Sequence, residues 1–310
     1  MGDSSLASER FDFDGIVPPL TTPFDAVGAL DLSALAAHVE RYNRAELAGY
    51  LAFGSNGEAV HLTAAERGEV LATLRRAAAP GRLIIAGVNE QSTQAAVAAA
   101  EQAADSGADA VLVITPYFYK SSMIQSVLRG FFEDVASASP LPLLIYNIPQ
   151  NTGVTVAPST LARLAEHPNI VGFKDSSGNL GALAETVRRS PSDFAAIVGN
   201  AGILYPALMM GAAGGILALA CVAPEATVEL FGLARSGAHE QARALQQRLS
   251  PLASLVTVEL GVPGLKVACE LTGMAASWPR LPLPPVDGAQ RERIGRVLDE
   301  LGLLSQPAER

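Results

Sequence analysis

Residues 141–178 read LPLLIYNIPQNTGVTVAPSTLARLAEHPNIVGFKDSSG. Two short apolar runs, 141–147 and 170–175, enclose a segment with a helix-start signal at Pro158 and Ser159. Neither run alternates between apolar and polar residues, and such continuous runs are typical of strands covered on both faces by helices. The stretch therefore predicts a β-strand, a helix and a second strand parallel to the first.

Similar apolar runs occur along most of the chain, separated by stretches with helical signals such as the Thr63 and Glu66 capping box. The other six runs are 15–20, 49–54, 83–88, 110–115, 195–200 and 214–219. Eight strand-helix units match a (β/α)8 TIM barrel, which usually has about 250 residues. We therefore predict an α/β fold with the barrel in 11–222 and extra C-terminal helices in 223–310, packed on the barrel and including a helical stretch at 228–271.

Two other architectures are weighed against the barrel. A doubly wound open sheet lacks its usual signal, because no G-x-G-x-x-G follows the first strand and no Walker A motif occurs. Residues 194–224 carry no charge and are long enough to span a bilayer. Glycines and Pro206 interrupt this segment, so we predict a buried strand-helix-strand there and no membrane association.

The composition indicates a compact globular protein. Of 310 residues, 49% are hydrophobic and 17% are charged, which excludes general disorder and coiled coil. The net charge of -9 argues against nucleic acid as a partner and favours small molecules. Two cysteines and four scattered histidines form no metal-binding pattern, so no metal site is expected. The N-terminus lacks an export signal, and we expect a cytoplasmic protein.

Polar residues follow the second and fifth predicted strands, at the rim where TIM barrels carry their chemistry. The turn 54–58, GSNGE, has two glycines around a hydroxyl and an amide, and it is either a carboxylate cradle or an ordinary strand-helix turn. Tyr146 either forms a structural hydrogen bond or transfers protons.

Lys174 is the most informative residue of the rim. The chain has three lysines, Lys120, Lys174 and Lys266, against nineteen arginines. A lysine in an apolar pocket can lose its proton and attack a carbonyl to form a Schiff base, which a guanidinium cannot do. The next residue, Asp175, is expected on the opposite face of the strand, away from this amine. The alternative interpretation of Lys174 is an ammonium group that extends into solvent.

Seven motifs resemble those of the dihydrodipicolinate synthase and N-acetylneuraminate lyase family of Schiff-base aldolases. The resemblance covers nearly the whole chain. The motifs are PPLTTP at 18–23, GSNGE at 54–58, TPY at 115–117, YNIPQNTG at 146–153, GFKDSSGN at 172–179, GAAGGILALA at 211–220 and GVPGLK at 261–266.

This resemblance implies an enzyme in which Lys174 forms an imine with pyruvate or another 2-oxo acid, without a separate cofactor. Tyr146 would shuttle protons and Ser55 would take part in catalysis, while Ser55 and Asn56 hold the pyruvoyl carboxylate. An aldehyde is the implied second substrate, and a homo-oligomer, a tetramer or dimer, is expected. The other predicted substrate-binding residues are Asn151, Ser176, Gly199, Tyr117, Phe118 and Ile216, the last through its main chain.

Three departures from the dihydrodipicolinate synthases bear on the substrate. Ser55 and Asn56 stand where synthases typically have two threonines, Asn151 stands where they have a carboxylate-binding arginine, and Phe118 replaces a tyrosine that acts between subunits. These departures argue against the synthase reaction. The GSNGE turn, the Asn-Thr-Gly end of the Tyr146 motif, and residues 167–172 and 261–266 are closer to 4-hydroxy-2-oxoglutarate aldolases, which release pyruvate and glyoxylate, and we predict the closest likeness to these. The alternatives are 4-hydroxy-tetrahydrodipicolinate synthase, a sugar-acid or other 2-oxo-acid aldolase, and a non-catalytic barrel that binds a 2-oxo acid.

Overall fold

The computed structural model describes residues 13–305. Residues 1–12, which include the N-terminus predicted to lack a targeting signal, and 306–310 lie outside this range. The eight strands are β1 Gly15–Val17, β2 Gly49–Ala52, β3 Leu83–Val88, β4 Ala110–Ile114, β5 Leu143–Asn147, β6 Ile170–Asp175, β7 Ala195–Val198 and β8 Gly214–Ile216. The helices are α1 Leu32–Tyr42, α2 Ala64–Ala77, α3 Thr93–Asp105, α4 Gln125–Ala138, α5 Pro149–Thr152, α6 Pro158–Leu164, α7 Leu180–Arg189, α8 Leu204–Met209, α9 Leu219–Val222, α10 Pro224–Arg235, α11 His239–Ser254, α12 Gly261–Leu271 and α13 Gly288–Glu300.

The strands form one parallel sheet in the order β1-β8-β7-β6-β5-β4-β3-β2. The sheet closes between β1 and β2, where the backbone N–H of Leu51 donates to Pro18 O at 3.1 Å and that of Leu20 donates to Leu51 O at 2.9 Å. The predicted (β/α)8 TIM barrel with additional C-terminal helices is confirmed.

All eight strands lie within the predicted runs, and several are shorter because of proline. A proline has no N–H to donate to a neighbouring strand. Accordingly β1 ends at Val17, before Pro18 and Pro19, and β5 begins at Leu143, after Pro142. The apolar segment 194–224 forms β7, α8, β8 and α9. Among residues 13–305, no helix is both long and apolar enough to cross a membrane.

Local signals set several helix ends. The Thr63 hydroxyl accepts from the Glu66 N–H, and the Glu66 carboxylate accepts from the Thr63 N–H, which is the predicted capping box of α2. Pro158 begins α6. The predicted helical stretch 228–271 is divided among α10, α11, a π-helical turn at Leu255–Glu259, and α12.

The C-terminal helices pack on the barrel and share its outer core. One cluster of buried residues spans both parts of the chain and includes Leu35, Phe132, Leu230 and Leu249. A second cluster fills the barrel interior and includes Val17, Leu51, Leu144 and Ile197. The division into 11–222 and 223–310 stays a prediction.

Closure at β8 depends on a close backbone approach. Gly214 pairs with Gly15 of β1, and a Cβ added at Gly214 would overlap the Gly15 carbonyl oxygen. We expect Gly214→Ala to lower the free energy of unfolding by about 2 kcal/mol or more, because neither backbone can move without breaking the ladder. Urea denaturation measures this. Gly232→Ala in α10 is the control, because its Cβ would meet no atom within 4 Å. An equal or smaller loss for Gly214→Ala would contradict this explanation.

Candidate active site

A cavity of about 540 Å³ opens at the carboxyl ends of the strands. Because all eight strands are parallel, residues that follow different strands meet at this end of the barrel. Eight of the ten predicted site residues line it: Ser55, Asn56, Tyr146, Asn151, Lys174, Ser176, Gly199 and Ile216.

Lys174 and Tyr146 are neighbours across β6 and β5. The two residues are register partners, and both side chains are buried, each residue being 3% exposed. The Lys174 Nζ lies 4.4 Å from the centroid of the Tyr146 ring. The Tyr146 hydroxyl lies 3.4 Å from the Ser55 Oγ, so a proton can pass between these oxygens.

No carboxylate within residues 13–305 forms an ion pair with Lys174. The adjacent Asp175 is engaged elsewhere: its carboxylate accepts from the Ser177 N–H at 2.7 Å, the Ser177 hydroxyl at 3.0 Å and the Asn147 amide at 3.3 Å. The expected separation of the two charges by strand alternation is therefore observed. Lys174 remains a buried amine beside an aromatic ring, without an ionic partner.

The turn after β2 places a hydroxyl and an amide at the cavity wall. Residues Ser55–Gly57 form one 3-10 turn, which Gly54 precedes in an extended conformation. Within the described chain, the backbone N–H groups of Ser55 and Asn56 make no hydrogen bond. Free N–H groups at the start of a helical turn, together with a hydroxyl, suit a carboxylate.

Gly199 leaves the space that the lysine side chain occupies. A Cβ at Gly199 would overlap the Ser176 Oγ and lie 2.9 Å from the Lys174 Cε. Ser176 is itself anchored, because its N–H donates to Asn147 O at 2.9 Å. Lys174 can therefore occupy its observed place only because residue 199, just after β7, has no side chain.

Five uncharged side chains form what we call the outer wall of the cavity. Gln150, Asn151 and Asn200 line it from the barrel loops, and Thr257 and Val258 line it from the π-helical turn. No arginine lies among the described residues that line the cavity, and Lys174 is their only lysine. The π-helical turn was not predicted, and such turns are frequent at functional sites.

Tyr117 and Phe118 do not line this cavity. Their backbone N–H groups donate to the Gln91 side-chain oxygen at 2.8 and 3.0 Å. The Phe118 ring is 73% exposed and contacts the Tyr119 ring edge to face. Their role in substrate binding stays a prediction.

Two residues near the site were not singled out for chemistry from the sequence. Glu58 lines the cavity and is buried, and its carboxylate pairs with the buried Lys266 of α12. The signal that could have found Lys266 is the one that found Lys174, namely the scarcity of lysine. Among residues 13–305, no group of three or more His, Cys, Asp and Glu side chains is arranged to hold a metal ion.

Comparison with known proteins assigns the family. The model of the dihydrodipicolinate synthetase family matches residues 12–301. The chain belongs to this family. The resemblance found in the motifs is therefore confirmed at the level of the family.

Relatives and solved structures match this chain over almost its whole length. The 4-hydroxy-tetrahydrodipicolinate synthase of Exiguobacterium is 33% identical over 294 residues, 95% of this chain and all of the relative. The dihydrodipicolinate synthase of Thermotoga maritima superposes with a TM-score of 0.91 at 31% identity, covering 95% of this chain and 100% of the other. The chloride-inhibited synthase of Acinetobacter baumannii, solved in complex with pyruvate, gives 0.90 at 31% identity, covering 94% and 100%.

The chain is therefore an enzyme, a class I pyruvate-dependent aldolase of the dihydrodipicolinate synthetase family. The predicted closeness to 4-hydroxy-2-oxoglutarate aldolases finds no support in these comparisons, since the matching relatives are named for the synthase. The aldehyde partner and the oligomeric state stay predictions.

The Gly199 geometry gives a test of the lysine position. In Gly199→Ala the new methyl displaces Ser176 and the Lys174 stem, and we expect borohydride trapping with pyruvate to slow by about tenfold or more. Gly130→Ala in α4 is the control, because its Cβ would meet nothing within 4 Å. Equal trapping rates in the two variants would show that Gly199 does not set the position of the amine.

Proposed function

We propose that the Lys174 amine attacks the C2 ketone of pyruvate and forms an imine. The observation that carries this proposal is a lysine that is 3% exposed, unpaired with any described carboxylate, and 4.4 Å from the Tyr146 ring in the cavity. An amine that no carboxylate holds can reach and attack a carbonyl carbon in the cavity.

The imine forms by two proton-coupled steps. The Lys174 nitrogen adds to C2 to give a carbinolamine, whose hydroxyl then takes a proton and leaves as water. We propose that Tyr146 supplies and recovers these protons, and that the Ser55 hydroxyl, 3.4 Å from the phenol oxygen, extends the path. The pyruvoyl carboxylate is proposed to bind the free N–H groups and the hydroxyl of the Ser55–Asn56 turn, with the Ile216 main chain against the imine.

The protonated imine then acts as an electron sink. In cleavage, the electrons of the C3–C4 bond flow to the imine nitrogen, C4 leaves as an aldehyde after its hydroxyl loses a proton, and an enamine remains. Protonation of the enamine at C3 and hydrolysis release pyruvate and the free amine. Condensation follows the same steps in reverse, so one site supports both directions.

For the acid that is cleaved, we propose a 4-hydroxy-2-oxo acid whose distal end binds amides and hydroxyls. The supporting observation is the outer cavity wall of Gln150, Asn151, Asn200 and Thr257, whose amides and hydroxyl can donate hydrogen bonds to a C4 hydroxyl and a distal carboxylate. We take 4-hydroxy-2-oxoglutarate as the first substrate to test, consistent with the motif resemblance.

The second candidate is the 4-hydroxy-tetrahydrodipicolinate synthase reaction, in which pyruvate condenses with aspartate semialdehyde. The relatives favour it, since those at 32–35% identity carry the synthase name. Both candidate substrates carry a distal carboxylate, so the missing arginine does not separate them by charge alone. Our choice rests on the motif resemblance, in which Asn151 stands where synthases have the arginine that forms a bidentate contact to the semialdehyde carboxylate. Pyruvate release from 4-hydroxy-2-oxoglutarate and pyruvate consumption with the semialdehyde are compared on the same enzyme. Faster turnover with the semialdehyde would overturn our choice.

Borohydride reduction tests the imine itself. With pyruvate present, we expect Lys174 to gain the mass of one pyruvic acid less one oxygen atom, since water is lost and two hydrogens are added. Peptide mass spectrometry locates the adduct, and Lys120 and Lys266 serve as internal controls. Lys174→Met should remain unmodified. An adduct on another lysine, or none in the wild type, would contradict the proposed nucleophile.

Asn151 tests the basis of selectivity. We expect Asn151→Arg to raise kcat/KM for aspartate semialdehyde relative to 4-hydroxy-2-oxoglutarate by about tenfold, through a charge-assisted contact to the semialdehyde carboxylate. Asn151→Gln keeps a neutral amide and controls for side-chain size. An unchanged ratio in Asn151→Arg would exclude Asn151 as the selecting residue.

A further inference from the structure

Glu58 is a buried carboxylate attached directly to the carboxylate-binding turn. Its side chain is 1% exposed, and it follows Ser55–Gly57 without a spacer. The carboxylate Oε1 lies 2.5 Å from the Lys266 Nζ, while Oε2 accepts from the Arg280 backbone N–H at 2.8 Å and lies 3.1 Å from the His61 Nδ1. We call the Glu58 carboxylate, the Lys266 ammonium and the Arg280 N–H the turn clamp.

Lys266 is buried, and Glu58 is its ion-pair partner. It lies on α12, is 2% exposed, donates to Trp278 O at 2.6 Å, and sits 4.5 Å from the centroid of the Phe24 ring. Burial lowers the pKa of Lys266, and the charge of Glu58 opposes that effect. Each charge of the pair is thus costly without the other.

Arg280 ties the clamp to two further segments. Its guanidinium lies 4.1 Å from the Phe24 ring centroid and donates to Gly28 O, His61 O and the Glu66 carboxylate. The segment after α12 is therefore fixed to the β1–α1 loop and to the first turn of α2. A movement of Glu58 would disturb contacts on several sides, so the clamp resists displacement of the turn.

The turn needs such support because its backbone is strained at both ends. Phe53 (φ 59°) and Glu58 (φ 53°) are the two non-glycine residues with positive φ in the described chain, and they flank residues 54–57. Side-chain residues rarely adopt this conformation, and it persists where surrounding contacts impose it. At the Phe53 end, the Asn89 amide donates to Phe53 O at 2.9 Å. At the Glu58 end, the turn clamp supplies the contacts.

We propose that the turn clamp positions Ser55 and Asn56 for the pyruvate carboxylate, and that Lys266 neutralises Glu58 so that the cavity wall does not repel this anion. Glu58 and Lys266 are then positioning residues, because they act through the turn and through the local charge. The proposal rests on the proposed imine chemistry. It assigns to the C-terminal helices a part in pyruvate binding.

The experiment measures the pyruvate concentration that gives half-maximal borohydride trapping at Lys174, on protein shown to be folded by circular dichroism and thermal melting. Lys266→Met removes the cation that pairs with Glu58, and we expect the half-saturating concentration to rise by about tenfold or more. The double variant Glu58→Gln/Lys266→Met removes both charges, and we expect it to fall at least about threefold below Lys266→Met.

Glu270→Gln is the matched control, because Glu270 lies on α12 like Lys266 and forms an exposed ion pair with Arg291 of α13. It should leave the half-saturating concentration unchanged. A role confined to stability would lower the melting temperature of the clamp variants and leave their half-saturation at the wild-type value.

A folded Lys266→Met with wild-type half-saturation, or a double variant no better than Lys266→Met, would overturn the proposal. Should Lys266→Met fail to fold, Glu58→Gln is tested in its place. We expect its half-saturating pyruvate concentration to rise about threefold, and an unchanged concentration would contradict the proposal. Absence of any adduct in the wild type would instead overturn the imine chemistry, and the clamp's part in it.

Discussion

The parallel hydrogen bonding of β5 to β6 is the constraint on which the active site depends. It sets Tyr146 beside Lys174 and presents both side chains at the same end of the barrel. The same parallel arrangement brings the turn after β2 and the glycine after β7 to that end, so residues far apart in sequence surround one amine. Burial then separates the amine from the acidic surface, and strand alternation directs Asp175 to Ser177 and Asn147.

The barrel and the C-terminal helices contribute different things to this cavity. The strands provide the amine, the phenol and the carboxylate-binding turn, which are the groups that the reaction of a 2-oxo acid requires. The C-terminal part provides Thr257 and Val258 on the outer wall, and Lys266 beneath the turn. Changes in the helical extension can therefore alter the second substrate, or the affinity for pyruvate, without touching the reacting lysine.

The strands and the central pair were predictable from sequence, and the surroundings of the turn were not. Runs such as 170–175 identify strands because helices cover both faces of a parallel sheet, and the rarity of lysine points to Lys174. Proline explains why β1 and β5 are shorter than their runs. The positive φ of Glu58 depends on contacts with residues up to 222 positions away, and no local pattern carries that information. The exposed Phe118 likewise reflects side-chain direction, which the motif alignment does not contain.

The central claim is that a single lysine at the end of β6 bonds covalently to the 2-oxo acid. A crystal structure of the enzyme soaked in pyruvate tests it most directly. We predict continuous density from the Lys174 Nζ to C2, with the carboxylate on the N–H groups of Ser55 and Asn56 and the Tyr146 hydroxyl beside the imine. Pyruvate bound without a bond to Lys174, or with its carboxylate away from that turn, would contradict it.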